Sequence, residues 1–359
     1  MQQAVRDLPF GLYDGERRAV RYLRLSVTDR CSFRCVYCMP EDGVRFVPRD
    51  EVMSFEEMAR LVGVFARLGV THVRLTGGEP LLRRDLPELV RLVAAVPGIE
   101  DLALSTNGLA LGDMAGELAA AGLRRVNVSI DSLEPATFAR LTRTREDTLA
   151  RVLSGLEAAR AAGLRPIKIN AVVIRGENDG QLAAMVRFAA ANGYVLRLIE
   201  YMPIGVDERW GPSSFVPVAE MRERLAADFE VQAYAQPSDA LVAGGGPARY
   251  ARLVGHDGTT AEVASGQPGS AGPSVEVGFI TAVSDHFCAT CNRVRVTATG
   301  TLQECLAFPG HLSLRDAMRQ GASDETLIET LRGALFAKGP GHRFQVGQRT
   351  LQTMSVTGG

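Results

Sequence analysis

Three cysteines, Cys31, Cys35 and Cys38, fall at C-x3-C-x2-C within one short stretch. Three thiolates on one loop can hold three irons of a four-iron cluster and leave the fourth iron open to an outside ligand. A redox cluster with an open position is a site for chemistry, whereas four cysteine ligands usually make an electron carrier. Two alternatives compete: a structural zinc site, which favours C-x2-C pairs and four protein ligands, and three unrelated core cysteines. A second group, Cys288-Ala-Thr-Cys291, is followed after thirteen intervening residues by Cys305. The two triads use all six cysteines of the chain. For the second triad, a zinc site completed by His286 or His311 is the competing reading.

Charged residues stand in places where burial would cost. Arg293 and Arg295 alternate along a predicted strand, which puts both side chains on one face. Lys168 sits inside the apolar run 166–174, where an ammonium without a counter-charge is expensive. An anionic ligand would remove that difficulty.

The elements that must position these groups repeat between residues 20 and 202. Short β-rich runs alternate with longer segments of helical period, a succession of βα units. The strands are predicted at Tyr22–Thr28, Val70–Thr76, Asp101–Thr106, Arg125–Asp131, Pro166–Ile174 and Val195–Tyr201. After the first cysteine loop, Ser54 and Glu57 make a capping-box pattern, and Phe55, Met58, Leu61, Val62, Phe65 and Leu68 recur at helical spacing. Gly69, Gly122, Gly163 and Gly193 supply stops before strands, and Pro135 suits a first helical turn. Six units are too few for a closed (β/α)8 barrel and predict an incomplete (β/α)6, TIM-like barrel, with an open parallel sheet as the alternative. Ligands of such α/β folds collect at the C-terminal ends of the strands, where 77–79, 105–107, 129–131 and 200–202 fall.

Beyond about residue 225 the rhythm changes. Residues 236–275 are rich in Gly, Pro, Ser and Ala and are expected to be loops, followed by an apolar run, the second triad and a helical segment from Leu314 to Phe336. The division expected is a core over 1–225 and a smaller C-terminal, cluster-binding region over 226–359 packed against it. Forty basic residues nearly cancel forty-one acidic ones, for a net charge of −1, which argues against broad nucleic-acid or membrane-surface binding. No apolar run approaches the ~20 residues of a membrane helix, and the first residues lack a secretory core. The cytoplasm is the expected location, with reduced thiols.

The loop Cys31-Ser-Phe-Arg-Cys35-Val-Tyr37-Cys38 resembles the signature of the radical S-adenosylmethionine (SAM) enzymes. In that family SAM chelates the open iron, and an electron from the cluster cleaves it to a 5′-deoxyadenosyl radical that takes hydrogen from substrate. Thr76-Gly77-Gly78-Glu79-Pro80 resembles the segment that meets the SAM amino group through backbone atoms, although a paired glycine by itself is often only a strand-to-helix turn. Asn127-Val-Ser129-Ile-Asp131 resembles a segment placing a serine near SAM, and Met202 matches a residue against the adenine. The resemblance thus implies SAM contacts from Tyr37, Gly78, Ser129 and Met202.

Within that superfamily, 285–295 and the remainder of the chain are similar to the GTP 3′,8-cyclases of molybdenum-cofactor synthesis. The resemblance implies a second four-iron cluster on Cys288, Cys291 and Cys305, whose open iron binds guanine, beside the SAM-cleaving cluster on Cys31, Cys35 and Cys38. It implies GTP contacts from Arg24, Arg74, Ser105, Lys168, Arg293, Val294 and Arg295, the guanidinium groups suiting a triphosphate. Ser105 departs from the threonine common in the family but keeps the hydroxyl. The stretch between His256 and Val277 is longer than usual, and Gly358-Gly359 resembles the family's double-glycine end. Further implications are an electron donor of flavodoxin or ferredoxin type, a product passed to cyclic pyranopterin monophosphate synthase (MoaC), and compatibility with a homodimer. Two other functions remain in play from sequence: a radical SAM enzyme that modifies a peptide using an auxiliary cluster, and a non-catalytic iron–sulfur electron carrier.

Overall fold

The computed structural model describes residues 11–205, 209–233, 246–256, 274–344, 347–350 and 354–357. The double-glycine end, Gly358-Gly359, and the stretch 257–273 lie outside the described residues.

All six expected βα strands form: β1 (Tyr22–Ser26), β2 (His72–Thr76), β3 (Asp101–Thr106), β4 (Arg125–Ser129), β5 (Ile167–Val173) and β6 (Val195–Glu200). Several are shorter than expected at one or both ends. At β1 and β4 the residues Val27, Thr28, Ile130 and Asp131 leave the ladder to build loops over the sheet's C-terminal end. The helices between them are α1 (Phe55–Arg67), α2 (Leu86–Ala94), α3 (Leu111–Ala120), α4 (Pro135–Thr142), α5 (Asp147–Ala161) and α6 (Leu182–Asn192). Helix α1 starts as its residues dictate: Ser54 Oγ accepts from Glu57 N–H, and the Glu57 carboxylate accepts from Ser54 N–H. Its apolar stripe buries Met58, Leu61, Val62 and Phe65 completely. Phe65→Ala is expected to cost about 3–5 kcal/mol, seen as a lower denaturant midpoint, because the neighbours can close such a gap only in part.

The C-terminal region continues the same sheet at both margins. After α7 (Val218–Leu225) come β7 (Phe229–Ala233), β8 (Arg249–Gly255), β9 (Ser274–Ile280), β10 (Arg293–Val296), β11 (Thr301–Gln303) and β12 (Leu312–Ser313). Strand order is β12-β11-β10-β1-β2-β3-β4-β5-β6-β9-β8-β7. Strands β10, β1 through β6, and β9 are parallel, and the outer ones are antiparallel. Among the described residues the margins do not pair with each other, so the barrel is incomplete. The expected helical segment 314–336 is divided into α8 (Leu314–Arg319) and α9 (Asp324–Phe336). Gly321, at φ +87°, ends one and Ser323 caps the next, accepting from Thr326 N–H. No helix among the described residues is long and apolar enough to cross a membrane.

Period-two alternation gives the parallel sheet two unlike faces. One face, including Leu23, Leu25, Val73, Leu104, Val126, Ile169 and Leu198, is buried with the helices in a single apolar core. The other, concave face carries Arg24 opposite Arg74 and Arg295, and Ser105, Asn127 and Lys168 in register across three strands. Local patterning alone therefore sends apolar residues to the helices and the charged ones inward.

Candidate active site

The first triad rides on the loop that leaves β1. Arg34 N–H donates to Thr142 O at 3.0 Å and Val36 N–H to Leu141 O at 2.9 Å, which ties the loop to the end of α4. Phe33 meets Phe138 edge-on, with ring centroids 6.0 Å apart. Tyr37 donates its hydroxyl to Asp131 Oδ2 at 2.7 Å, fixing the loop to the segment after β4. Burial, then the neighbouring Cys38, Asp131 and Cys31, pushes the Cys35 thiol well above its usual range. Cys31 is raised to about 11, mainly by burial. Three sulfurs close enough to repel one another as thiolates are matched to a positively charged metal group, which would remove that penalty. Among the described residues no three His, Cys, Asp or Glu side chains converge as ligands of one metal ion; the thiolates of an iron–sulfur cube are spaced more widely than that.

Gly77 and Gly78 serve a packing need that the sequence did not suggest. A Cβ on Gly77 would lie 2.4 Å from Thr28 O, and one on Gly78 2.3 Å from Arg30 O. The glycines let the loop after β2 lie directly on the cysteine loop, where Gly78 N–H donates to Thr28 O at 2.8 Å. Glu79 is also buried, its carboxylate accepting from Leu81 N–H, Thr106 Oγ1–H and Asn107 N–H. Burial raises its pKa to about 7 although these hydrogen bonds pull the other way. Ser129 lies on the concave face in register with Asn170, and Met202 is half-buried in a small cluster with Ile204, Ile280 and Phe344.

The second triad surrounds a cavity of about 320 Å³ lined by Cys288, Cys291 and Cys305 together with Lys338 and Gly341. Gly341 has φ +147°, and a Cβ there would come within 2.6 Å of Cys288 Sγ, so only glycine allows the chain past that sulfur. Burial raises the Cys291 thiol, but Arg293 and Lys338 more than offset it and bring it down to about 7. A ready thiolate in an open cradle is the donor chemistry an iron–sulfur group needs. His311 lines the same cavity, whereas His286 packs instead against the His342 ring, centroids 5.4 Å apart.

Between the triads lies the cationic concave face. Arg293 and Arg295 share it as expected and are each less than a tenth exposed. Their Nε atoms lack partners within the protein, donors held ready for an acceptor. Arg74 donates to Tyr22 Oη and to Ser105 Oγ. Lys168 is 1% exposed, and burial followed by Arg197, Arg125 and Arg74 pushes its pKa down to about 6. Val294 differs from its neighbours: its side chain enters the helix-side core, so its backbone alone can face a ligand. Sequence reasoning missed Arg197, which is buried with Nε and Nη2 unpartnered, and the Arg125–Asp101 ion pair. The signal for Arg197 was present, since it interrupts the apolar run of β6 as Lys168 interrupts β5.

Residues 25–189 match the Radical SAM superfamily and residues 194–344 match the region described as Molybdenum Cofactor Synthesis C. The crystal structure of Streptococcus suis SuiB bound to S-adenosylmethionine is similar in fold, with a TM-score of 0.55 at 15% identity over 89% of this chain and 68% of that one. The family match and the cysteine loop within it define a radical SAM enzyme, a class whose cofactors are SAM and a four-iron cluster. A GTP 3′,8-cyclase of Pelotomaculum thermopropionicum (strain DSM 13744 / JCM 10971 / SI) is 41% identical over 97% of this chain and 100% of its own length. One of Pseudomonas entomophila (strain L48) is 43% identical over 98% and 99%. The chain belongs to the GTP 3′,8-cyclase family.

Proposed function

We propose that the enzyme converts GTP to (8S)-3′,8-cyclo-7,8-dihydroguanosine 5′-triphosphate, the first step of molybdenum-cofactor synthesis. The observation that carries this reading is one concave face of buried cations bordered by two cysteine triads, of which the second opens on a cavity. Cys31, Cys35 and Cys38 would hold the first cluster, and Cys288, Cys291 and Cys305 the second. With SAM on the first, the bound group supplies a 5′-deoxyadenosyl radical able to take a hydrogen atom from ribose.

The chain's own residues do the rest. Backbone atoms of Tyr37 and Gly78, with Ser129 and Met202, hold SAM above the sheet. Arg24, Arg74, Lys168, Arg293 and Arg295 hold the triphosphate, with Ser105 and the Val294 backbone completing the polar lining. Arg197 adds a further donor on the same face. Rigid holding matters because a loosely placed ribose would present the wrong hydrogen, and burial keeps water from a reactive carbon. We place the division of labour at residue 225, with cytoplasmic reduction by a flavodoxin- or ferredoxin-type donor and passage of product to MoaC. The peptide-modifying and electron-carrier alternatives gain no support from the relatives.

Lys168 provides a pH test. In the unfolded chain a lysine keeps its proton to about pH 10.4, whereas here it titrates near 6. Between those values the unfolded state binds more protons, so the cost of burying this group is full below about pH 6 and lifts as pH rises. A triphosphate beside it restores the ammonium. GTP binding at pH 8 should therefore take up as much as about one proton, read by calorimetry in buffers of different ionisation enthalpy, and Lys168→Met should abolish the uptake.

The function itself is tested by anaerobic incubation of reconstituted protein with SAM, GTP and dithionite. Mass spectrometry should find 5′-deoxyadenosine together with a cyclised GTP isomer; deoxyadenosine without any GTP-derived product would defeat the proposal.

A further inference from the structure

Helix α9 ends at Phe336, and the chain then crosses the second triad through 338–341. Lys338, 7% exposed, sits at this crossing. Its ammonium donates to Arg293 O at 3.0 Å, reaches Cys291 Sγ at 3.8 Å and lies 3.6 Å from Asp14 Oδ2. An ammonium has three donors, and here each has an assigned direction. Asp14 is itself fully buried and holds the Arg18 Nε at 2.7 Å. The Arg18 guanidinium in turn donates to Cys288 O at 2.6 Å, Gly339 O at 2.8 Å and Pro340 O at 3.0 Å. A turn near the start of the described chain and the exit from its last long helix therefore clamp two cysteines of one triad.

We propose that Lys338 is a positioning residue that fixes a positive charge against Cys291 and thereby sets the reduction potential of the second cluster. The inference rests on the reading that this triad holds a cluster. Adding an electron makes a cluster more negative, and a cation fixed beside one of its sulfurs stabilises that state more than the oxidised one. Charge and hydrogen bonds at the sulfurs are the levers by which proteins move cluster potentials. The effect is strong here because the ammonium is buried, where water screens it little. Arg293 Nη2, 3.7 Å from the same sulfur, adds a second fixed positive charge there, and the two cations act on Cys291 together.

The test is an EPR-monitored redox titration of the anaerobically reconstituted full chain, with iron counted in each sample. Lys338→Met should move the second cluster's potential to more negative values and leave the first cluster's SAM-dependent signal in place. Lys338→Arg, which keeps the charge, should leave the potential close to that of the unaltered protein. Asp14→Asn, which keeps the ammonium and removes its counter-charge, should move the potential the opposite way; it supplies the answer if the Met variant does not fold. Both clusters present with unchanged potentials in Lys338→Met and Asp14→Asn would overturn the proposal alone. Iron sufficient for only one cluster in the unaltered protein would overturn the second-cluster reading and this proposal with it.

Discussion

Cys35→Ser is expected to reduce 5′-deoxyadenosine formation to background while leaving the protein folded. Cys35 is the sulfur on which burial and the two neighbouring cysteines act together, so it sits at the centre of the loop's ligand set. A serine hydroxyl stays protonated at neutral pH and is a poor partner for iron, and two remaining thiolates cannot hold the cube. The surrounding loop is tied by backbone hydrogen bonds to Thr142 and Leu141, which the substitution does not touch. Cys305→Ser should behave differently: SAM cleavage persists, and the cyclised product disappears. Chromatography of deoxyadenosine and of the nucleotide product separates the two outcomes, and equal loss of both in Cys305→Ser would show that the triads do not have separate tasks.

Arg295→Met is expected to weaken GTP binding by about 30-fold or more, since truncating one partner of a buried charge pair costs ~2–5 kcal/mol and ~1.4 kcal/mol is tenfold. The same change should raise the melting temperature of the protein without GTP. Burial and then Arg293 press the Arg295 guanidinium below its usual range, so in the empty face this cation is held at a cost. Methionine keeps much of the volume and removes the charge. Ligand stabilisation should then fall as the affinity does. Thermal melts with and without GTP read both effects; a lower melting temperature without GTP would mean that Arg295 supports the fold rather than the ligand.

Much of this was legible because local rules act on local residues. The apolar spacing of 55–68 and the Ser54–Glu57 pair specify α1 without help from the rest of the chain. Alternation along 293–296 put Arg293 and Arg295 on one face, and the apolar run 166–174 marked Lys168 as a buried cation, before any pairing was known. What stayed hidden depends on partners far along the chain. Nothing near Arg293 announces that β10 would pair with β1, or that β9 would extend β6, because register between distant strands is set by the whole sheet. Asp14 looks like an ordinary turn residue until α9 delivers Lys338 to it. The glycines 77 and 78 were legible as a motif, while their steric reason, the carbonyls of Thr28 and Arg30, was not.

The most direct measurement uses GTP carrying deuterium at C3′. If the two-triad face holds the ribose as described, the deuterium appears in 5′-deoxyadenosine recovered from a single anaerobic turnover. Unlabelled deoxyadenosine formed beside intact GTP, or label transferred only from another ribose position, would contradict the account.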